Sequence, residues 1–137
     1  MYQPSDFTIS FTRNKMNTNT SAMRESNTSS RERLLIKANY QVVPIMVRDI
    51  LFVKALSDYV IIKTINTKYI TLCTMKEMMD SLPEEMFVRT HRSFIVNVDK
   101  ILNVKGSFIE INEKDMQFSI PIGRAYKKDF RTMLNAA

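Results

Sequence analysis

From Leu34 onward the chain alternates short apolar runs with polar or charged breaks: "LLIKANY", "VVPIMV", "ILFVKA", "YVIIKTI" and "YITLC". Each run is rich in β-branched and aromatic residues and is long enough only for a strand. "SFIVN", "KILNVK", "SFIEIN" and "MQFSIPI" continue the pattern further along. Asn66 to Lys68, "NTK", forms a predicted hairpin turn, and Gly106-Ser107 and Asn112 to Asp115 supply others. In "SFIEIN", Phe108 and Glu110 share one face and Ile109 and Ile111 the other, so both faces are partly apolar.

Two stretches carry the helical period instead. Thr74 opens "TMKEMMDSLP" with Glu77 three residues later, the spacing of a capping box. Met75, Met78, Met79 and Leu82 follow as an apolar stripe, and Pro83 stops it. Such methionines either line a promiscuous groove or fill a core; the adaptability of Met favours the core. In "RAYKKDFRTML", Tyr126, Phe130, Met133 and Leu134 fall on one side, with Arg124, Lys127, Lys128 and Arg131 mostly elsewhere. That predicts an amphipathic helix with a basic outer surface. The fold class is therefore mainly β, with nine or ten short strands, one internal helix and one C-terminal helix.

Ahead of this region the texture differs. Residues 14–30 are dominated by Asn, Ser and Thr, with too few apolar side chains to offset the entropy of ordering them. The division expected is a flexible polar tail or linker over 1–33 and a folded domain over 34–137. A short helix around Ala22 to Glu25 is the alternative. "FTISF", Phe7 to Phe11, could form a strand but has no obvious neighbour.

Composition narrows the chemistry. At 137 residues there is room for one domain and a tail. Only two glycines are present, so dinucleotide and P-loop phosphate cradles are excluded. A single histidine, His91, and a single cysteine, Cys73, rule out a disulfide framework and a cysteine-rich zinc site. His91 and Ser93 lie close in sequence, but strand geometry sets such neighbours side by side rather than aimed at one substrate. Cys73 ends an apolar strand and reads as a packed thiol, and Glu84-Glu85 as a solvated turn. No base and nucleophile come together, so the chain reads as a non-enzyme with no cofactor. No apolar run approaches the roughly 18 residues that cross a bilayer, and no signal peptide is evident, which points to a cytoplasmic chain with no membrane partner.

The net charge of +6 favours an anionic partner. Within 34–137, 15 Lys and Arg stand against 11 Asp and Glu, a balance of +4. Arg89 and Arg92 crowd one turn, and guanidinium suits both phosphate and guanine edges. The Thr90 and Ser93 hydroxyls are the right length to hold a backbone phosphate. The aromatics are interleaved with aliphatics in the strands and are expected inside, which favours duplex DNA over stacked single strands. A β-rich protein-interaction module with a basic surface and no DNA specificity is the competing class.

"FVRTHRSFIVN", Phe87 to Asn97, resembles the signature of the LytTR family, the DNA-binding output domain of many bacterial response regulators. "VRDILFVKALSDYVIIKT" resembles the family's opening strand pair, "YITLCTMKEMMDSLP" its strand-to-helix passage, and "IPIGRAYKKDF" its closing strand and helix. The resemblance runs in order from Leu34 to Leu134. It implies about ten strands in small antiparallel sheets, with edge loops rather than a recognition helix entering the major groove. It also implies contacts at Ser57-Asp58, at Arg92 with its neighbours Arg89, His91 and Ser93, and at Arg124, with Lys54 and Lys127 assisting. Asp58 would accept from cytosine or brace Lys54. His91 would touch DNA or, as preferred here, hydrogen-bond within the corner and aim Arg92. "SFIVN" would anchor the corner, with Phe87, Phe94, Ile95 and Val96 inside and "RTHR" as its exposed tip.

The implied function is a sequence-specific regulator of transcription, binding duplex DNA as two copies on repeated half-sites. A receiver domain and sensor kinase would stand upstream. The residues before Leu34 are too few and too polar to form that receiver, which leaves an output domain of a longer regulator or a stand-alone one.

Overall fold

The computed structural model describes Ser10, Phe11 and residues 33–136. Eleven strands in three antiparallel sheets and two helices make up this region. The central sheet has five strands: β4 (Ile50–Leu56), β5 (Tyr59–Thr64), β6 (Lys68–Leu72), β7 (Phe87–His91) and β8 (Phe94–Asn97), in the order β6-β5-β4-β8-β7. A second sheet sets β1 (Ser10–Phe11) beside β2 (Arg33–Ala38) and β3 (Gln41–Met46). The third sheet orders β9 (Asn103–Lys105), β10 (Phe108–Glu113) and β11 (Met116–Pro121) with β10 in the middle. Helix α1 is Met75–Ser81 and α2 is Lys127–Ala136.

Alternation along the strands divides the core into two layers. On one face of the central sheet, Val53, Val60, Ile62, Phe87 and Ile95 meet Leu34, Ile36 and Ile45 of the second sheet. Met75, Met78 and Leu82 join this layer, so the methionine stripe is core as expected. The Thr74–Glu77 capping box forms, with Glu77 N–H donating to Thr74 Oγ1 at 3.0 Å and Thr74 N–H to Glu77 Oε1 at 2.9 Å. On the other face Leu51, Phe52, Val88 and Val96 meet Ile109, Ile111, Ile120 and Ile122 of the third sheet and Phe130 of α2. Strand β4, with neighbours on both edges and layers on both faces, accordingly reads as a nearly continuous apolar run.

Local chemistry fixes the connections. Asn39 and Tyr40 both have positive φ between the paired Ala38 and Gln41, the two-residue hairpin loop whose twist suits the strands it joins. Pro44 is tolerated because β3 is an edge strand. Thr64 Oγ1 donates to the Thr67 carbonyl at 2.8 Å and accepts the Thr67 N–H at 3.1 Å, closing the β5–β6 turn. Asn97 is fully buried; its amide donates to the Ile50 carbonyl at 2.9 Å and accepts the Asp99 N–H at 2.9 Å, tying the end of β8 to the start of β4.

Several details differ from the sequence reading. "FTISF" does have a neighbour: Ser10 and Phe11 pair with Leu35 and Leu34 of β2. "KILNVK" is split, because Val98–Lys100 form a 3-10 turn and only Asn103–Lys105 extend. Phe108 and Tyr40 are exposed at hairpin ends rather than inside. Arg33 already belongs to β2, while the helix alternative at 22–25 lies outside the described residues. No helix among the described residues is long and apolar enough to cross a membrane.

Phe87 is almost fully enclosed, whereas Phe94 is only half-buried. Phe87→Ala should therefore lower unfolding free energy by about 3–5 kcal/mol, and Phe94→Ala by clearly less. Urea titrations of the two variants would reveal the order, and a larger loss at Phe94 would contradict this packing.

Candidate nucleic-acid interface

The Ser57-Asp58 turn and the Arg92-Ser93 turn project from the same end of the central sheet. Register requires it: Lys54 near the end of β4 pairs with Phe94 at the start of β8. The Ala55 N–H donates to the Ser93 carbonyl at 2.9 Å, locking the two tips side by side. Ser57 holds φ at +57°, a left-handed conformation that costs a non-glycine residue roughly 1 kcal/mol. The Asp58 carbonyl accepts the Cys73 N–H at 3.4 Å.

A third segment reaches this end from far along the chain. The β7–β8 ladder shifts register between Arg89 and His91, so Thr90 is skipped. The Thr90 carbonyl instead accepts the Gly123 N–H at 2.7 Å. A Cβ at Gly123 would stand 3.3 Å from Tyr126 Cδ2, 3.5 Å from His91 Cδ2 and 3.8 Å from His91 Cα, so this segment packs directly against the corner. This contact sets the Arg124–Tyr126 3-10 turn beside the corner, with the Arg124 side chain exposed. Arg124 therefore precedes the last helix, which begins at Lys127.

Within the corner only Arg92 is fully presented to solvent; Arg89, His91 and Ser93 are half-buried. His91 Nδ1 accepts the Ser93 N–H at 3.1 Å, and its ring stands edge-on to Phe94 at 5.9 Å. The imidazole thus braces the turn that carries Arg92. Arg89 is also committed inward: its Nη2 donates to the Arg92 carbonyl, its Nε donates to the His91 carbonyl at 3.3 Å, and its guanidinium lies 5.9 Å over Tyr126. Lys54 sits 5.9 Å over the Phe94 ring rather than against Asp58.

Two expectations are overturned. "RTHR" is not an exposed tip, because Arg89 to His91 continue β7 and only Arg92-Ser93 form the turn. Thr90 cannot hold a phosphate: it is completely buried and its Oγ1 has no hydrogen-bond partner among the described residues. The skipped register turns this hydroxyl into the protein. Lys127 lines a separate hollow of about 200 Å³ with Val104, Gly106 and Leu134, away from the corner. Nothing in the sequence marked the Gly123 contact, which depends on packing alone.

Cys73 offers no competing chemistry. Burial, with the Glu77 carboxylate second, pushes its thiol up to about 12, and Sγ lies 3.1 Å from the Thr74 carbonyl. A protonated, enclosed thiol is a poor nucleophile.

Comparison with known proteins bears on this corner. The LytTr DNA-binding domain model matches residues 40–135. The chain belongs to the LytTR family. A solved LytTr DNA-binding domain from Bacillus cereus superposes with a TM-score of 0.62 at 23% identity, covering 74% of this chain and 95% of that one. Relatives of this LytTR chain include the sensory transduction protein LytT of Bacillus anthracis, 28% identical over 109 residues, covering 78% of this chain and 44% of that protein. The transcriptional regulatory protein YpdB of Escherichia coli K12 is 29% identical over 92 residues, covering 65% of this chain and 38% of that protein. The LytTR chain thus spans less than half the length of these curated relatives.

Because the Thr90 hydroxyl is buried without a partner, Thr90→Val should leave stability unchanged or raise it by up to about 1 kcal/mol. Thermal unfolding would read this directly; a loss of more than about 2 kcal/mol would mean that the hydroxyl is satisfied in solution.

Proposed function

We propose that this chain is the DNA-reading part of a transcription regulator, recognising duplex sequence through loops at one end of its central sheet. The convergence of Ser57-Asp58, Arg92-Ser93 and Gly123-Arg124 at that end carries the reading. Arg92 and Arg124 are the exposed guanidiniums there, and a guanidinium fork matches the acceptor pair of guanine or a phosphate. Both enter the major groove. Ser57, Asp58 and Ser93 contact bases or backbone beside them, and Lys54 adds a phosphate contact. Arg89 and His91 act through Arg92: their hydrogen bonds hold its turn, so less freedom is lost when DNA binds. Lys127, beyond the corner, meets flanking backbone at most.

Two copies occupy repeated half-sites, and residues 1–33 link the domain to a receiver that takes its signal from a sensor kinase. The names of the relatives support the regulatory role, and no catalytic step belongs to it. Selection from random duplexes with the full chain should return one preferred site, bound with a steep loss of affinity as salt rises. Arg92→Ala should then cost about 1–3 kcal/mol and relax preference at one base position. A chain that selects no duplex would overturn the reading, and an unchanged preference would reduce Arg92 to a backbone contact.

A further inference from the structure

Beyond the corner, a groove of about 440 Å³ runs along the part of the central sheet that the third sheet leaves open. Its floor is Phe52, Ile61 and Phe118, and its rim carries Lys54, Lys63 and Lys68. Strand register fixes this arrangement: Lys54 pairs with Ile61, Phe52 with Lys63, and Lys63 with Lys68, which sets all five on one face. No carboxylate lines the groove. The one ion pair between side chains of described residues, Lys76–Asp80, lies on α1.

The arrangement is costly without an anion. Like charges directly opposite across two strands destabilise a sheet, and Lys63 faces Lys68 in that way. Aromatic rings hold two of the ammonium groups in place: Lys63 Nζ lies 5.8 Å over Phe118 and Lys54 Nζ 5.9 Å over Phe94. Lys114 adds another cation by the far turn, where it donates to Asn66 Oδ1 at 3.3 Å. The row is also continuous with the corner, since the Phe94 ring beneath Lys54 is the one that His91 meets edge-on.

We infer that this lysine groove is a track for the sugar-phosphate backbone flanking the site read by the corner. The inference rests on the duplex-reading role proposed above. Charge decides the occupant. A second copy of this chain would bring like charge to like, whereas a duplex supplies a regular row of anions leading away from Arg92. The apolar floor suits the sugar faces between phosphates. Because Lys63 and Lys68 touch only backbone, the track adds affinity and no sequence preference.

The test uses the full chain and a duplex recovered by random-site selection, prepared alone and with about 10 bp, one helical turn, added on each side. The wild type should bind the extended duplex more tightly. Lys63→Gln/Lys68→Gln should lose that advantage and lower the slope of log affinity against log salt by about two, equally for selected and scrambled extended duplexes. Lys63→Arg/Lys68→Arg should keep wild-type behaviour. The glutamine variant removes a repulsive pair, so its urea midpoint should match or exceed the wild type's, which separates lost contact from lost fold. Unchanged flank dependence and slope in the glutamine variant overturn the track while the corner's role stands, and leave the groove to an acidic protein or another anion. A wild type that selects no duplex overturns both.

Discussion

Thr90 is left out of the β7–β8 ladder, and its carbonyl takes the Gly123 N–H at 2.7 Å. Much of the molecule's functional end depends on that one bond. Strand β7 is an edge strand, and its outward backbone groups need partners that are not another chain. Gly123 supplies one, and in doing so brings the turn before α2 against the corner. A Cβ at Gly123 would press slightly on the Tyr126 ring, so the absence of a side chain suits this close approach. The exposed Arg124 thus follows directly on a contact with the corner that carries Arg92, although 32 positions of sequence separate the two arginines, and no local preference of either residue could arrange that.

The corner is stiffened by Arg89, which the sequence had offered to the ligand, and by His91, in the bracing role the sequence favoured. Arg89 donates to two carbonyls of the turn and stacks on Tyr126, while His91 accepts the Ser93 amide. Each of these bonds is worth only about 1 kcal/mol net. Together they hold the Arg92 backbone in one geometry, and a pre-ordered loop loses less entropy when it meets a partner. The neighbouring Ser57 turn has a left-handed φ, a local strain that the paired strands on either side impose. The two tips and the Arg124 turn are thus tied together by backbone hydrogen bonds along one edge. Behind it the fully buried Asn97 fastens β8 to β4 at the opposite end of the same strands.

Much of this was legible beforehand, for identifiable reasons. The apolar runs gave strands because β-branched residues at period two fit only a pleated surface. The Thr74–Glu77 box and the Met stripe gave α1, since capping and the 3.6-residue period are local properties. "FVRTHRSFIVN" and the order of the flanking motifs pointed to the family, and of the expected exposed tip "RTHR" Arg92 is the residue that is exposed. Where the reading went astray, a long-range contact had intervened. Thr90 looked like a hydroxyl on a loop, but the skipped register turned it into the interior. Arg89 was expected to assist Arg92 at the ligand, but Tyr126 and the turn carbonyls claim its guanidinium.

What the sequence determined by itself was most of the strands, both helices and the basic balance of the chain, the elements being set by neighbours a few residues apart. Tertiary structure decided which side chains share a surface. Strand register aligned Lys54, Lys63 and Lys68 along one open groove, and a backbone bond across the fold brought Arg124 to Arg92. Register and packing are fixed by the burial of distant apolar faces against one another, and that information is spread over the whole chain rather than written at any one position.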